Sequence, residues 1–135
     1  SLDYEITVPE ELLSQKVPKL LIQPLVENAI KYGSDCEPPW FIQVRGHLFE
    51  DHWQIDVLDN GHGFTREALE TIQTRIREAD QNPEMPDLKI NGLGTLNVYL
   101  RWKLFCKNDI IFSCGNTEEG HGIVSIGRFQ KKETE

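Results

Sequence analysis

Two alternating runs stand almost back to back in the middle of the chain, WFIQVRGHLFE (Trp40–Glu50) and HWQIDVLD (His52–Asp59). Alternation of large apolar with polar residues makes each a strand with one buried face. The break near Glu50–Asp51 leaves room for no more than a tight turn, so the two must pair antiparallel. The apolar face of such a hairpin has to be covered, and the flanking segments are what can cover it.

Upstream, YEITVP (Tyr4–Pro9) alternates and reads as a short strand ended by proline. VPKLLIQPLVENAIKYG (Val17–Gly33) reads as helical, with Pro18 suited to a first helical position and Gly33 to a C-terminal cap. Pro24 lies inside it and must either kink the helix or begin a second one; the pattern favours a helix from Gln23 to Tyr32. SDCEPP (Ser34–Pro39) is a loop. Downstream, TREALETIQTRIREA (Thr65–Ala79) is a helix capped by Thr65, with Leu69, Ile72 and Ile76 as its apolar stripe. DQNPEMPDLKING (Asp80–Gly92) reads as a mobile loop. TLNVYLRWKLFC (Thr95–Cys106) is a second amphipathic helix opened by a Gly-Leu-Gly turn. IIFSC (Ile110–Cys114) and IVSIGRF (Ile123–Phe129) are strands joined through the loop GNTEEGHG.

This order predicts an α+β fold: a two-layer sandwich with a mixed, mostly antiparallel sheet and helices on one face. A length of 135 residues suits one domain spanning the whole chain. Repeated strand–helix–strand crossovers are missing, as are Gly-x-Gly-x-x-Gly and Gly-Lys-Ser/Thr, which excludes a doubly wound nucleotide fold. A net charge of −8 argues against a nucleic-acid-binding surface, yet leaves open a local phosphate site built from backbone N–H groups. Cys36, Cys106 and Cys114 are odd in number, and His47, His52, His62 and His121 form no His-Glu-x-x-His pattern. Neither a disulfide framework nor a zinc site is expected, and a reducing cytosolic setting fits. No apolar run is long enough to cross a bilayer, and no signal-peptide pattern opens the chain. The start at Ser1 fits a piece of a longer protein.

Three places could carry chemistry. Asp59-Asn60-Gly61-His62-Gly63 follows directly on a strand; it is either a turn or a loop built to hold something. In the first helix, Ile22, Leu25, Val26, Ala29 and Ile30 share the core face, and Asn28, Lys31 and Tyr32 project from another edge. They are either a solvated face or a hard oxygen ligand, a point charge for phosphate and a ring that stacks on a base. Gly92 and Gly94 let the backbone turn sharply ahead of a helix N-terminus, itself attractive to phosphate.

Taken in order, PLVENAIKYG, DNGHGF, GLGTLNV and EGHG resemble the four boxes of the GHKL ATPase superfamily, which includes gyrase-type topoisomerases, heat-shock chaperones, mismatch-repair ATPases and histidine kinases. KLLIQPLVENAIKYG followed by GLGTLNVYLRWKLF is similar to the C-terminal ATP-binding domain of sensor histidine kinases of the LytS/YesM type. The resemblance covers about Tyr4 to Phe129. It implies a Bergerat-type fold binding ATP and Mg²⁺. Asp59 would accept from the adenine amine, with Gly61 and Gly63 bending beneath the base. Asn28 would ligate Mg²⁺, and Lys31 and Tyr32 would contact phosphate and adenine. Gly92 and Gly94 would bind phosphate, and Thr95 and Asn97 of the following helix would join the cofactor-binding set. Residues 65–91 would form a lid. Glu27, beside Asn28, is a candidate catalytic base.

The implied activity is that of a histidine protein kinase fragment. It would pass the γ-phosphate to a histidine on a separate, upstream dimerisation domain, and would not label itself. A response regulator is the implied further partner. The implied location is the cytoplasmic side of a membrane-anchored bacterial sensor, with this domain outside the membrane and not bound to nucleic acid. Two departures stand out: Ile123 follows Gly122 where relatives often carry Thr, and Leu96 stands where many carry a basic residue. They keep two alternatives open, a degenerate GHKL domain that serves as a binding module and another GHKL ATPase such as an anti-sigma serine kinase.

Overall fold

The structure, a computed structural model, describes residues 2–14, 19–33, 39–81 and 94–130. Five strands form one sheet: β1 (Leu2–Thr7), β2 (Trp40–Leu48), β3 (His52–Asp59), β4 (Ile110–Asn116) and β5 (Gly122–Phe129). Their spatial order is β1-β2-β3-β5-β4. The β2–β3 hairpin is antiparallel, with Val44 opposite Val57, and its turn is closed by Phe49 N–H donating to the His52 carbonyl at 2.8 Å. β5 lies antiparallel between β3 and β4. β1 pairs parallel to β2, Leu2 opposite Trp40, which makes the sheet mixed as expected. Pro9 does end the first strand region, but a 3₁₀ turn over Glu10–Ser14 follows and buries Leu12, an element the sequence does not signal.

Three helices complete the fold: α1 (Lys19–Gly33), α2 (Arg66–Gln81) and α3 (Gly94–Cys106). α1 and α3 pack together and cover one face of the sheet, whereas α2 rides on α3. α1 runs through Pro24 rather than starting near it. The ring removes one N–H near the start of the helix, where the loss of a single bond is outweighed by burial of Leu25 and Ala29. Ile30, expected in the core, is 37% exposed, because the face that meets the sheet centres on Leu25 and Ala29. Of the α2 stripe only Ile72 is buried; Leu69 and Ile76 are half-buried, since α2 packs chiefly on α3.

α3 departs from an amphipathic pattern. Thr95, Leu96, Val98, Tyr99, Leu100, Trp102 and Cys106 are all buried, since sheet, α1 and α2 surround it. Its Trp102 meets Trp53 of β3 at 5.7 Å between ring centroids, and the indole N–H donates to the Gly127 carbonyl at 2.8 Å. The Tyr99 hydroxyl donates to Asp80 at 2.6 Å, and Lys103 pairs with the same carboxylate, fastening the last turn of α2 to α3. Burial works to raise the Asp80 pKa, but the hydrogen bonds from Lys103 and Tyr99 outweigh it and hold the carboxyl below its ordinary value. The Tyr99 hydroxyl is pushed well above its ordinary value, by burial first and by Asp80 second. Among the described residues no helix is long and apolar enough to cross a membrane.

Candidate functional site

The strand β3 delivers Asp59 to the open end of the sheet, beneath α1 and beside the start of β5. There the layers enclose a cavity of about 320 Å³. Its walls are apolar: Leu25 and Ala29 from α1, Val57 from β3, Val124 from β5, Ala68 and Ile72 from α2. Four polar side chains enter it, those of Asn28, Asp59, Thr65 and Thr95. A mainly apolar cleft with a few convergent polar groups is the usual form of a small-molecule site.

Each polar group is held by local geometry. One oxygen of Asp59, Oδ1, accepts from Gly61 N–H at 2.8 Å, which turns the chain at the end of the strand and fixes the carboxylate plane. The other oxygen faces Gly122, where a Cβ would lie only 2.8 Å from it. Asn28 and the start of α3 form a second close pair. A Cβ at Gly94 would sit 2.6 Å from both Nδ2 and Oδ1 of Asn28, so only glycine admits that amide. The Asn28 Nδ2 is buried and has no partner. An orphaned donor at a cavity wall is costly unless a ligand satisfies it. Thr65 caps α2, its Oγ1 accepting from Ala68 N–H at 3.0 Å.

The loop after Asp59 is tied down from two sides. Asn60 accepts from Phe41 N–H and donates to the Pro39 carbonyl, both at 2.9 Å, which seats it against the start of β2. From the other side, Asn116 at the end of β4 accepts from Phe64 N–H at 2.7 Å and donates to the Phe64 carbonyl at 2.9 Å. His121 donates from Nδ1 to the Gly61 carbonyl at 2.7 Å. Gly63 has φ +76°, and a Cβ there would run into Asn116 Oδ1 and the Gly120 carbonyl. Neither amide clamp is legible in the sequence. Asn60 reads as part of a turn dipeptide and Asn116 as loop composition.

The structure thus brings Asn28, Asp59, Gly63 and Thr95 to one cavity, with Gly94 behind Asn28. Gly61 is buried in the loop beneath, and Asn97 is half-buried outside the lining. Glu27 does not reach the cavity; it is exposed on the outer side of α1 and accepts from Gln23 at 3.0 Å. Lys31 and Tyr32 lie in the last turn of α1, and their side chains fall outside the described residues. Gly92 and residues 82–93 also fall outside them, so the second half of the expected lid is not described. Leu96 is buried with Tyr99 and Leu100 against Ile76 and Ala79 of α2, which accounts for an apolar residue there. Ile123 pairs with Leu58 and faces the opposite side of the sheet; it is Gly122 that faces Asp59. No group of three or more His, Cys, Asp or Glu side chains is placed to hold a metal ion among the described residues.

This arrangement has counterparts. The family described as histidine kinase-, DNA gyrase B- and HSP90-like ATPases matches residues 14–127. The chain belongs to that ATPase family. Over 89 residues, 65% of its length, it is 37% identical to the sensor histidine kinase YpdA of Escherichia coli (strain K12). Over 88 residues it is 34% identical to the sensor protein kinase HptS of Staphylococcus aureus (strain USA300). The matched region is a small part of those proteins, 14% of the first and 16% of the second. The fold of this ATPase domain is shared with the catalytic domain of the histidine kinase ThkA, at a TM-score of 0.66 over 98% of this chain and 82% of that one, with 16% identity. A mycobacterial sensor histidine kinase, MprB, matches at 0.59 over 95% of this chain and 81% of that one, with 15% identity.

Proposed function

We propose that this ATPase-family domain is the ATP-binding catalytic domain of a sensor histidine kinase. It holds Mg²⁺·ATP in the cavity and offers the γ-phosphate to a histidine on a separate dimerisation domain of the same protein, from which a response regulator takes it. The parent is then a membrane-anchored sensor with this domain on the cytoplasmic side. The observation that carries this reading is Asp59, which has one oxygen tied to Gly61 N–H and the other left for a ligand at the floor of an apolar cleft. A flat base with an exocyclic amine fits between the walls and donates to that oxygen. Asn28 supports the same reading. Its Nδ2, buried and without a partner, would suit a phosphate oxygen, and Oδ1 of the same amide would serve as Mg²⁺ ligand. Bound Mg²⁺ supplies charge neutralisation on the phosphates.

The remaining roles rest on the family resemblance. Lys31 and Tyr32 contact phosphate and base. Gly94, Thr95 and Asn97 stand in the first turn of α3, where unpaired helix N–H groups favour phosphate, and Gly92 joins them by the motif alone. Glu27, on the outer side of α1, is the candidate base for an imidazole that arrives from outside. Phosphoryl transfer asks the protein chiefly for positioning and electrostatics, which this set supplies.

Two measurements test the reading. Calorimetric titration with ATP, with and without Mg²⁺, should give binding that Mg²⁺ strengthens. Incubation with γ-labelled ATP should leave this chain unlabelled until the dimerisation segment is added. His47 and His52 lie on strands toward the far end of the sheet, His121 is committed to Gly61, and His62 sits on the loop after Asp59, so none of the four is carried on a separate helix that could bring it in line with the γ-phosphate. Acid-labile phosphate on this chain alone would overturn the division of labour.

A further inference from the structure

We infer that Asn116 is a positioning residue for the nucleotide. It stands at the end of β4, is exposed, and does not itself line the cavity. Its amide nevertheless makes a two-way bond with the backbone of Phe64, 52 residues away. The donor and acceptor of one side chain stand in for a neighbouring strand. Aspartate could accept but not donate, and a longer glutamine would overshoot.

What hangs from this clamp is the cavity itself. Phe64 and Gly63 both line it, and the next residue, Thr65, caps α2. On the other arm of the same hairpin, His121 holds the Gly61 carbonyl while Gly61 N–H holds Asp59. The β4–β5 hairpin therefore fixes the loop at two points, one beside the carboxylate and one at the root of α2. Gly63 belongs to this interlock. Its φ is positive, and a Cβ there would meet the Asn116 amide and the Gly120 carbonyl. Loss of the clamp frees the Gly63–Phe64 link and lets the wall of the cavity drift, without removing any group that touches the nucleotide.

The inference rests on the reading of the cavity as an ATP site, and the test separates the two. Asn116→Ala and Asn116→Asp are compared with the unaltered chain in three measurements: ATP affinity by calorimetry, amide hydrogen exchange at Phe64 without nucleotide, and the urea midpoint. For Asn116→Ala, Phe64 exchange should rise and the ATP Kd should increase roughly tenfold, the scale of one or two lost hydrogen bonds. The urea midpoint should fall only by what one or two hydrogen bonds contribute, so the domain stays folded. Asn116→Asp keeps the acceptor for Phe64 N–H and should fall between. Faster Phe64 exchange with unchanged Kd would make the clamp merely structural and overturn the inference alone. A weaker Kd with Phe64 still protected would overturn it too, because the effect would not run through the loop. If the unaltered chain protects Phe64 yet binds no ATP, the ATP reading fails and the positioning role fails with it.

Discussion

Substituting Gly94 by alanine should injure the site through Asn28, and only through Asn28. In isolation alanine is the better helix former, by about 1 kcal/mol in a helix interior and less at the first position. Here its Cβ would fall 2.6 Å from two atoms of the Asn28 amide and 2.9 Å from a third. Crowding of that kind costs about 1–3 kcal/mol, more than the propensity gain, so destabilisation should win. The strain can be relieved by moving α3 away from α1 or by rotating the amide out of the cavity. The first lowers stability and the second lowers affinity for Mg²⁺·ATP. Either way the cost should vanish in an Asn28→Ala background, where the space is open and only the helix gain remains. A double-mutant cycle reads this directly, with urea unfolding for stability and calorimetry for ligand affinity. We expect a coupling of about 1–3 kcal/mol shared between the two readouts. Additive effects within about 0.5 kcal/mol in both would show that the two residues do not share the space.

Asp59→Asn should fold normally and weaken ATP binding by about 1.5–3 kcal/mol, the scale of a hydrogen bond to a charged group; equal affinities by calorimetry would remove Asp59 from the base contact. Asn28→Ala should abolish most of the Mg²⁺-dependent part of ATP affinity and spare adenosine, and an undiminished Mg²⁺ response would leave Asn28 without a metal role. The Asp80 clasp predicts a pH dependence with two limbs. A carboxylate held below its ordinary value stabilises above that value and loses the effect as pH falls through the folded pKa, so the clasp should weaken below about pH 4. A phenol held above its ordinary value stabilises below about pH 10 and loses the effect as pH rises beyond. Urea midpoints of the unaltered chain and of Tyr99→Phe, measured across both ranges, should differ on the alkaline limb; coincident curves there would deny the Tyr99 contribution.

The parts of the fold legible in the sequence are those written in short-range pattern. The β2–β3 hairpin, the Thr65 cap and the final strand pair follow from alternation and turn chemistry within a dozen residues. Long-range pairing is not written that way. Nothing local says that β5 inserts between β3 and β4, or that β1 runs parallel to β2. α3 misleads because its polar residues are few and scattered; burial on three sides is decided by α1, α2 and the sheet, not by its own periodicity. Pro24 misleads in the other direction, a local rule overridden by packing. Ile123 shows how a motif alignment can slip by one position: strand alternation sends it to the far face and presents Gly122 to Asp59.

The glycines of the motifs gain a second meaning from the geometry. Each of three lies against a side-chain oxygen: Gly94 against Asn28, Gly122 against Asp59, Gly63 against Asn116. Two of these pairs join one box to another, Gly94 with Asn28 and Gly122 with Asp59, and the third joins Gly63 to Asn116 at the end of β4, outside the boxes. A glycine in a nucleotide motif is ordinarily explained by the ligand that approaches it. In this domain the close approach is made by the protein's own amides and carboxylate. The effect is to hold those groups in one orientation before ATP arrives, so that less ordering remains to be done on binding. It follows that alanine at any of the three should act on the paired polar group first. A ligand-only role for the glycines predicts the reverse, with affinity lost and the apo site unchanged. Amide exchange and side-chain nuclear magnetic resonance of Asn28 and Asn116 without nucleotide distinguish the two, because only pairing across the chain moves those signals before ATP is added.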